Sequence, residues 1–142
     1  MIKITQRYQG TDEPSHTLSM TYQERTKGRI RVMSQNGTDF GLFLERGHPL
    51  KHGEHLISDD GIVVRVNAQP EALIEAYCED WGTFARCCYH LGNRHVPIEI
   101  HTLKLYMQED RILENMLQHL GMQTQPIKKG FHPEQGAYRR SH

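Results

Sequence analysis

Cysteine is scarce in this chain and badly spaced for structural work. Three occur in 142 residues, Cys78, Cys87 and Cys88. Two are adjacent and no CxxC pair exists, which excludes a disulfide framework. An excess of one charge is also missing, because 17 basic and 17 acidic residues cancel. No long-range field would therefore gather nucleic acid or an anionic membrane. No apolar run is long enough to cross a bilayer, and Met1-Ile2-Lys3-Ile4-Thr5-Gln6-Arg7 lacks the apolar core of a signal peptide. Together these absences lead us to expect a cytoplasmic, reducing location, with neither nucleic acid nor membrane as a partner.

What is present is histidine. The chain carries ten, the one charge reservoir that changes near pH 6, so metal handling is the first chemistry to test. A mean hydropathy of −0.68 describes a polar chain, yet its apolar periodicity is too regular for disorder.

Two rhythms divide the sequence. The first half, to about Ala68, consists of short alternating runs broken by glycine. Arg29-Ile30-Arg31-Val32-Met33 alternates like a half-buried strand, Asn36-Gly37 is a hairpin turn, and Phe40-Gly41-Leu42-Phe43-Leu44 is the next strand. A polar loop from Arg46-Gly47 to Asp59-Asp60-Gly61 leads into the apolar strand Ile62-Val63-Val64-Arg65-Val66. No helical pattern competes there, which predicts a small all-β barrel or sandwich over residues 1–69.

Residues 70–142 read differently. Ala72 to Cys78 can be a strand, although its alanines and glutamates also allow a helix. Trp81, Phe84, Cys88 and Leu91, with Cys87 beside them, share one helical face, and Gly92 offers a left-handed stop. Val96 to His101 and Leu103 to Tyr106 are two short strands. Ile112, Leu113, Met116, Leu117 and Leu120 form a second helical stripe ending at Gly121, and Met122 to Ile127 is a last strand. The order βαββαβ is the ferredoxin-like α+β pattern. From about Lys128 the periodicity fades, which predicts a flexible C-terminal tail.

The segment Tyr89-His90-Leu91-Gly92-Asn93-Arg94-His95-Val96-Pro97-Ile98 holds the strongest functional signal. It places the His95 imidazole at a fixed turn between a helix and the mouth of a strand, where a ring nitrogen is free for a metal. Spacing alone leaves open a turn histidine bonded to a nearby carbonyl. Asn93 and Arg94 shape the turn, Asn93 being able to turn left-handed at low cost.

Cys88-Tyr89-His90-Leu91-Gly92-Asn93-Arg94-His95-Val96-Pro97 resembles the signature of the urease accessory protein UreE family, which are nickel metallochaperones. Leu44-Glu45-Arg46-Gly47 and Asp59-Asp60-Gly61 resemble that family's β-domain turns. Ile112-Leu113-Glu114-Asn115-Met116-Leu117 with Leu120-Gly121 resembles its second helix, and Phe131 through Gly136-Ala137-Tyr138 the start of its tail. The resemblance implies an N-terminal β-domain similar to a chaperone peptide-binding module, here residues 1–69. It also implies a C-terminal metal-binding, dimerising domain, here residues 70–142. It further implies a homodimer in which His95 of both subunits meets one Ni(II), with Zn(II) as the other metal imidazole suits. The implied partners are the GTPase UreG and the urease pre-activation complex, and the implied activity is delivery of nickel to apo-urease without catalysis. Some members carry a histidine-rich tail; the stretch Arg139-Arg140-Ser141-His142 holds one histidine, so high-capacity nickel storage is not expected. Histidines before the second helix are absent, where Met107-Gln108-Glu109-Asp110-Arg111 stands.

Other candidates are weaker. His142 is a tail ligand able to close over a shared metal, or simply a terminal residue. His132 lies in the same tail, before Pro133. His101 faces away from Ile98 and Ile100 as a peripheral ligand or a solvated histidine. His90 sits five residues before His95, which is no ligand spacing on one helix face. His48, His52 and His55 have helical i, i+4, i+7 spacing, but Pro49 and Gly53 interrupt them, so a solvated loop is expected. Cys87 and Cys88 suggest a Cys-His nucleophile, yet both lie on or beside the buried stripe, where free cysteine is inert packing. A rival reading makes the β-half a peptide-binding or assembly module, with metal incidental.

Overall fold

The computed structural model describes residues 1–136, which fall into two compact units. The first is Met1–Gln69 and the second begins at Pro70. In the first unit the strands are β1 (Ile2–Tyr8), β2 (His16–Met20), β3 (Arg29–Met33), β4 (Asp39–Phe43), β5 (His55–Ser58) and β6 (Val63–Ala68). They form one mixed sheet in the order β2-β6-β5-β1-β4-β3. The Gln35 amide donates to the Thr17 carbonyl (3.1 Å) and His16 Nδ1 lies 3.0 Å from Asn36 Oδ1. These bonds bring the two edge strands together, so the sheet nearly closes into a barrel. Alternate residues point inward, and Ile4, Leu18, Met20, Val32, Phe40, Leu42, Leu56, Val64 and Val66 make the core, with Leu50 added from a loop.

The expected hairpin is present, with Gly37 at φ +86° where the turn requires a left-handed residue. Three strands and a helix were not expected. β1 loses its alternation at a bulge between Ile4 and Gln6, and it pairs in parallel with β4, a partner remote in sequence. β2 pairs in parallel with β6 in the same non-local way. β5 occupies part of the expected polar loop because Leu56 is fully buried. A one-turn helix, α1 (Tyr22–Arg25), interrupts the all-β half. Its reciprocal cap, Thr21 Oγ1 accepting from Glu24 N and Glu24 Oε1 from Thr21 N, is a local signal that no apolar stripe accompanies.

The second unit runs β7 (Glu71–Tyr77), α2 (Trp81–Asn93), β8 (Ile98–His101), β9 (Lys104–Gln108), α3 (Arg111–His119) and β10 (Gln123–Lys129). The antiparallel sheet has the order β10-β7-β9-β8, the ferredoxin-like α+β arrangement. β7 is a strand because it is central: it forms ladders with β10 on one side and β9 on the other, and ladder pairing outweighs its alanine and glutamate content. Asp80 and Asp110 cap the two helices, accepting from Thr83 N and Leu113 N. The core takes Phe84, Cys87 and Leu91 from α2 and Leu117 from α3, against Ile74, Ala76, Ile98, Leu105 and Met107 of the sheet. Trp81 and Ile112, expected on the buried stripes, are instead 61% and 79% exposed. Ile112 precedes the true stripe of Leu113, Met116, Leu117 and Leu120, which turns it away by about 100°.

The C-terminal segment corrects another expectation. The chain does not become a tail at Lys128, since Lys128 and Lys129 pair with Ala72 and Glu71. Beyond them Phe131 is fully buried, and the Glu134 amide donates to the Ile98 carbonyl at 2.8 Å. Glu99, 7% exposed, secures this strap. It accepts from Lys129 Nζ (2.8 Å) and from His101 Nε2 (2.6 Å) on one oxygen, and from the His132 amide (2.9 Å) on the other.

Two outcomes follow. Leu91→Ala should destabilise the chain by about 2–5 kcal/mol in urea unfolding, because a fully buried leucine leaves a cavity. Burial pushes the Glu99 carboxyl up, but hydrogen bonds from Lys129, His101 and His132 and the Lys129 charge outweigh it and hold it below the ordinary range. A depressed folded-state value means the carboxylate's contribution is complete above the unfolded glutamate value, about 4.3. It is lost as pH falls through the folded value. The His132 amide resonance should accordingly titrate below the ordinary glutamate range in an NMR series.

Candidate metal centre

His95 is held by the way α2 ends. The helix does not stop at Gly92; Gly92 and Asn93 remain helical and Arg94 is the C-cap, with φ −96°. The left-handed residue is His95 itself, at φ +59°. Its amide donates to the Gly92 carbonyl (3.0 Å), and the Val96 amide reaches back to the Leu91 carbonyl (3.0 Å). These two bonds define a Schellman cap, and Leu91 and Val96 supply the apolar contact that accompanies it. The left-handed position of such a cap is ordinarily glycine. A histidine there carries a backbone penalty of about 1 kcal/mol, and the ring it presents is exposed.

Beside the ring lies an open pocket lined by His95, Val96, Pro97, Gln108, Glu109, Asp110 and Leu113. Chain order explains the meeting, since the turn before β8 and the turn after its hairpin partner β9 lie at the same end of that pair. Glu109 and Asp110 therefore line the same pocket as His95. Sequence reasoning noted the lack of histidine in this stretch and overlooked its acids. One signal was available: an aspartate just before an apolar helical stripe is an N-cap, which places Asp110 at the end of β9.

The remaining candidates lie apart. His101 projects from the strand face opposite Ile98 and Ile100, as expected, and its Nε2 is engaged by Glu99. His132 is exposed in the strap, its amide bonded to Glu99. His142 lies outside the described residues. His90 stays within α2 with its ring edge-on to Tyr89 at 5.4 Å. The trio His48, His52 and His55 forms no helical face: His52 Nδ1 accepts from the Ala68 amide, the His48 carbonyl accepts from Arg7, and His55 belongs to β5 rather than to a loop. Among the described residues no three His, Cys, Asp or Glu side chains gather into a metal cage. His95 thus stands as a single imidazole on a pocket that Glu109 and Asp110 also line.

Burial weighs against a thiolate at Cys87 and Cys88. Burial pushes Cys87 up to about 11, with Cys78, Cys88 and Asp80 adding to the shift, and burial also raises Cys88. The thiolate is the reactive form, so alkylation of Cys87 by iodoacetamide at pH 7.5 should be slow in the folded chain and rapid after denaturation. The cap makes a second prediction: His95→Gly should leave the fold intact and raise stability by up to about 1 kcal/mol, by removing the left-handed penalty. Thermal unfolding of this variant beside His95→Ala reads that difference directly.

Comparison with known proteins agrees with this architecture. The family model described as UreE urease accessory protein, N-terminal domain, matches residues 2–69, and that described as UreE urease accessory protein, C-terminal domain, matches residues 71–142. Relatives bearing the name urease accessory protein UreE include one from Pseudomonas fluorescens, 45% identical over 129 residues, covering 90% of this chain and 78% of the relative. One from Azotobacter vinelandii is 41% identical, covering 100% and 86%. Another, from Shewanella halifaxensis, is 42% identical, covering 97% and 80%. A chain matched over both units in this way belongs to the UreE urease accessory protein family.

Proposed function

We propose that this chain is a nickel metallochaperone of urease maturation. In this reading it binds Ni(II) as cargo through His95 and passes it to apo-urease in the cytoplasm, with no catalysis of its own. The observation that carries the reading is the exposed imidazole at a left-handed cap, φ +59°. Glycine would be the less strained residue there, and strain of this kind persists where function requires it.

The donor set suits a cargo site. One chain brings a single imidazole at this turn, with the Glu109 and Asp110 carboxylates on the same pocket. In a homodimer with two-fold symmetry, His95 of each copy would approach the same axis. Two imidazoles with carboxylate or water oxygens leave an incomplete shell for a metal that favours four to six ligands. A closed cage of the structural zinc kind would retain the metal, whereas an open one releases it. Exposed Tyr89, Trp81 and Ile112 on the two helices supply apolar surface for pairing. His142 is the ligand we assign to closing the site from the tail, ahead of His132 and His101. Transfer then follows docking to the GTPase UreG within the urease pre-activation complex. Zn(II) is the competitor, because imidazole and carboxylate accept both ions.

A second role belongs to the β-unit. Phe43 is flanked by Lys3 at 5.0 Å and Arg29 at 5.5 Å, with Met33 65% exposed on the neighbouring strand. This cationic and apolar face supports partner binding alongside metal transfer.

Calorimetric titration with Ni(II) tests the proposal. Roughly one tight ion per two chains is expected, as a ligand shared across a symmetric pair requires. His95→Ala and His95→Gly should abolish it while leaving the fold intact. Affinity should also drop on acidification, because a protonated imidazole cannot ligate. Unchanged binding in the His95 variants would sink the reading.

A further inference from the structure

The outward face of β1, β4 and β3 carries positive charge that the β-unit itself leaves unbalanced. Lys3 and Arg31 stand on either side of Gly41, and Arg29 stands opposite Phe43. Lys3 Nζ and the Arg29 guanidinium lie 5.0 and 5.5 Å from the centre of the Phe43 ring. Among the described residues neither of these two cations forms an ion pair. Arg31 differs. Its Nε donates to both oxygens of Asp39 at 3.0 and 3.1 Å, and its Nη2 donates to one of them at 2.6 Å. That carboxylate offsets Arg31 and leaves Lys3 and Arg29 as the unbalanced charges.

The apolar part of the same face is shaped by a glycine. Gly41 lies in the middle of β4, and its φ is not left-handed, so the backbone does not call for glycine there. Glycine inside a strand weakens it and often marks a place where a ligand or another backbone approaches closely. A Cβ at Gly41 would lie 2.7 Å from Met1 Sδ and 3.1 Å from Phe43 Cε2. The space above the glycine is thus taken by the end of Met1, a flexible thioether, with the Phe43 ring alongside. Met1 and Met33 are 67% and 65% exposed. Methionine is common on surfaces that repack around a partner, because its side chain is unbranched and adaptable.

We infer that this face docks an extended acidic segment of a partner protein. An apolar side chain of the segment displaces Met1 above Gly41 and packs on Phe43, while its carboxylates reach Lys3 and Arg29. The inference deepens the partner-binding role given above to the β-unit and uses no residue of the metal centre. Charge selects the occupant, since two unbalanced cations attract carboxylates and repel a basic segment. Spacing selects its form. β1 and β3 lie about 10 Å apart across β4, two strand spacings. An extended segment with acids two residues to either side of an apolar one spans about 13 Å, enough to reach both cations from the central position. Anionic lipid offers the same charge, but a chain whose 17 basic and 17 acidic residues cancel has no long-range field to favour it.

NMR titration of the isotope-labelled full chain with a synthetic peptide tests the inference. The probe carries glutamate two residues to either side of a central leucine, in a glycine-serine frame. The largest amide shifts should fall in β1, β3 and β4, Gly41 among them. Affinity should drop several-fold between about 0.05 and 0.5 M NaCl, because exposed charges are screened. The double variant Lys3→Glu, Arg29→Glu should weaken binding about tenfold; both side chains are exposed, so its fold is retained. Phe43→Ala should weaken binding as well, and a probe with lysine in place of glutamate should give no shifts. Absence of shifts at about 5 mM peptide would overturn the inference. So would equal binding of the lysine probe, shifts that map outside these strands, or unaltered affinity in the double variant. Binding to phosphatidylserine vesicles without peptide binding would overturn it too, and assign the face to a membrane. Ni(II) calorimetry of His95→Ala, run in parallel, reads the metal centre alone. Normal Ni(II) binding in that variant ends the metal reading and leaves the peptide result standing.

Discussion

The Schellman cap at the end of α2 is the constraint on which the rest depends. Leu91 is fully buried in the core of the second unit, and its carbonyl receives the Val96 amide after the chain has reversed. That single bond sets where the helix ends, where β8 begins and which residue must turn left-handed between them. The residue is His95. Its ring is held outward because the backbone on either side is fixed by a buried leucine and a sheet strand. Rigid support of this kind is what a ligand needs if its position is to be shared with a second copy.

Around that turn the fold arranges groups of different chemistry. The β9 to α3 connection brings Glu109 and Asp110 to the same pocket, with Asp110 also serving as the helix cap. From the other side of the turn, the strap returns along β8 under the control of Glu99. The turn before β8 and the turn before α3 thus lie on one pocket, from two separate parts of the chain. Burial raises the Cys87 and Cys88 thiols, which favours their protonated form.

Much of this was legible in the sequence where the signal was local. The Asn36-Gly37 turn, the βαββαβ order and the α2 and α3 stripes, apart from Trp81 and Ile112 at their starts, all depend on spacing within a few residues, and each is found. The His95 turn was legible too, but its mechanism was misplaced. Glycine is the usual left-handed stop, so Gly92 was the natural choice, and only the observed φ values reveal that His95 takes that role. What escaped reading was non-local. β1 and β2 are held by parallel partners far along the chain, and β7 is a strand because of its neighbours. The strap looked like a tail because Lys128 to Gly136 has no periodicity; its order comes from one buried glutamate, one buried phenylalanine and an edge strand. Glu99 and His101 share a face at i, i+2, a hint that gains meaning only once Lys129 and His132 are known to arrive beside them.

The central claim is that His95 from two copies of the chain shares one Ni(II). A crystal structure of the chain grown with one Ni(II) per two chains tests it most directly, with anomalous scattering at the nickel edge locating the ion. The account predicts a single strong peak on a two-fold axis, with an imidazole nitrogen of each His95 near 2 Å from it. A peak bound within one chain, away from His95, would contradict it.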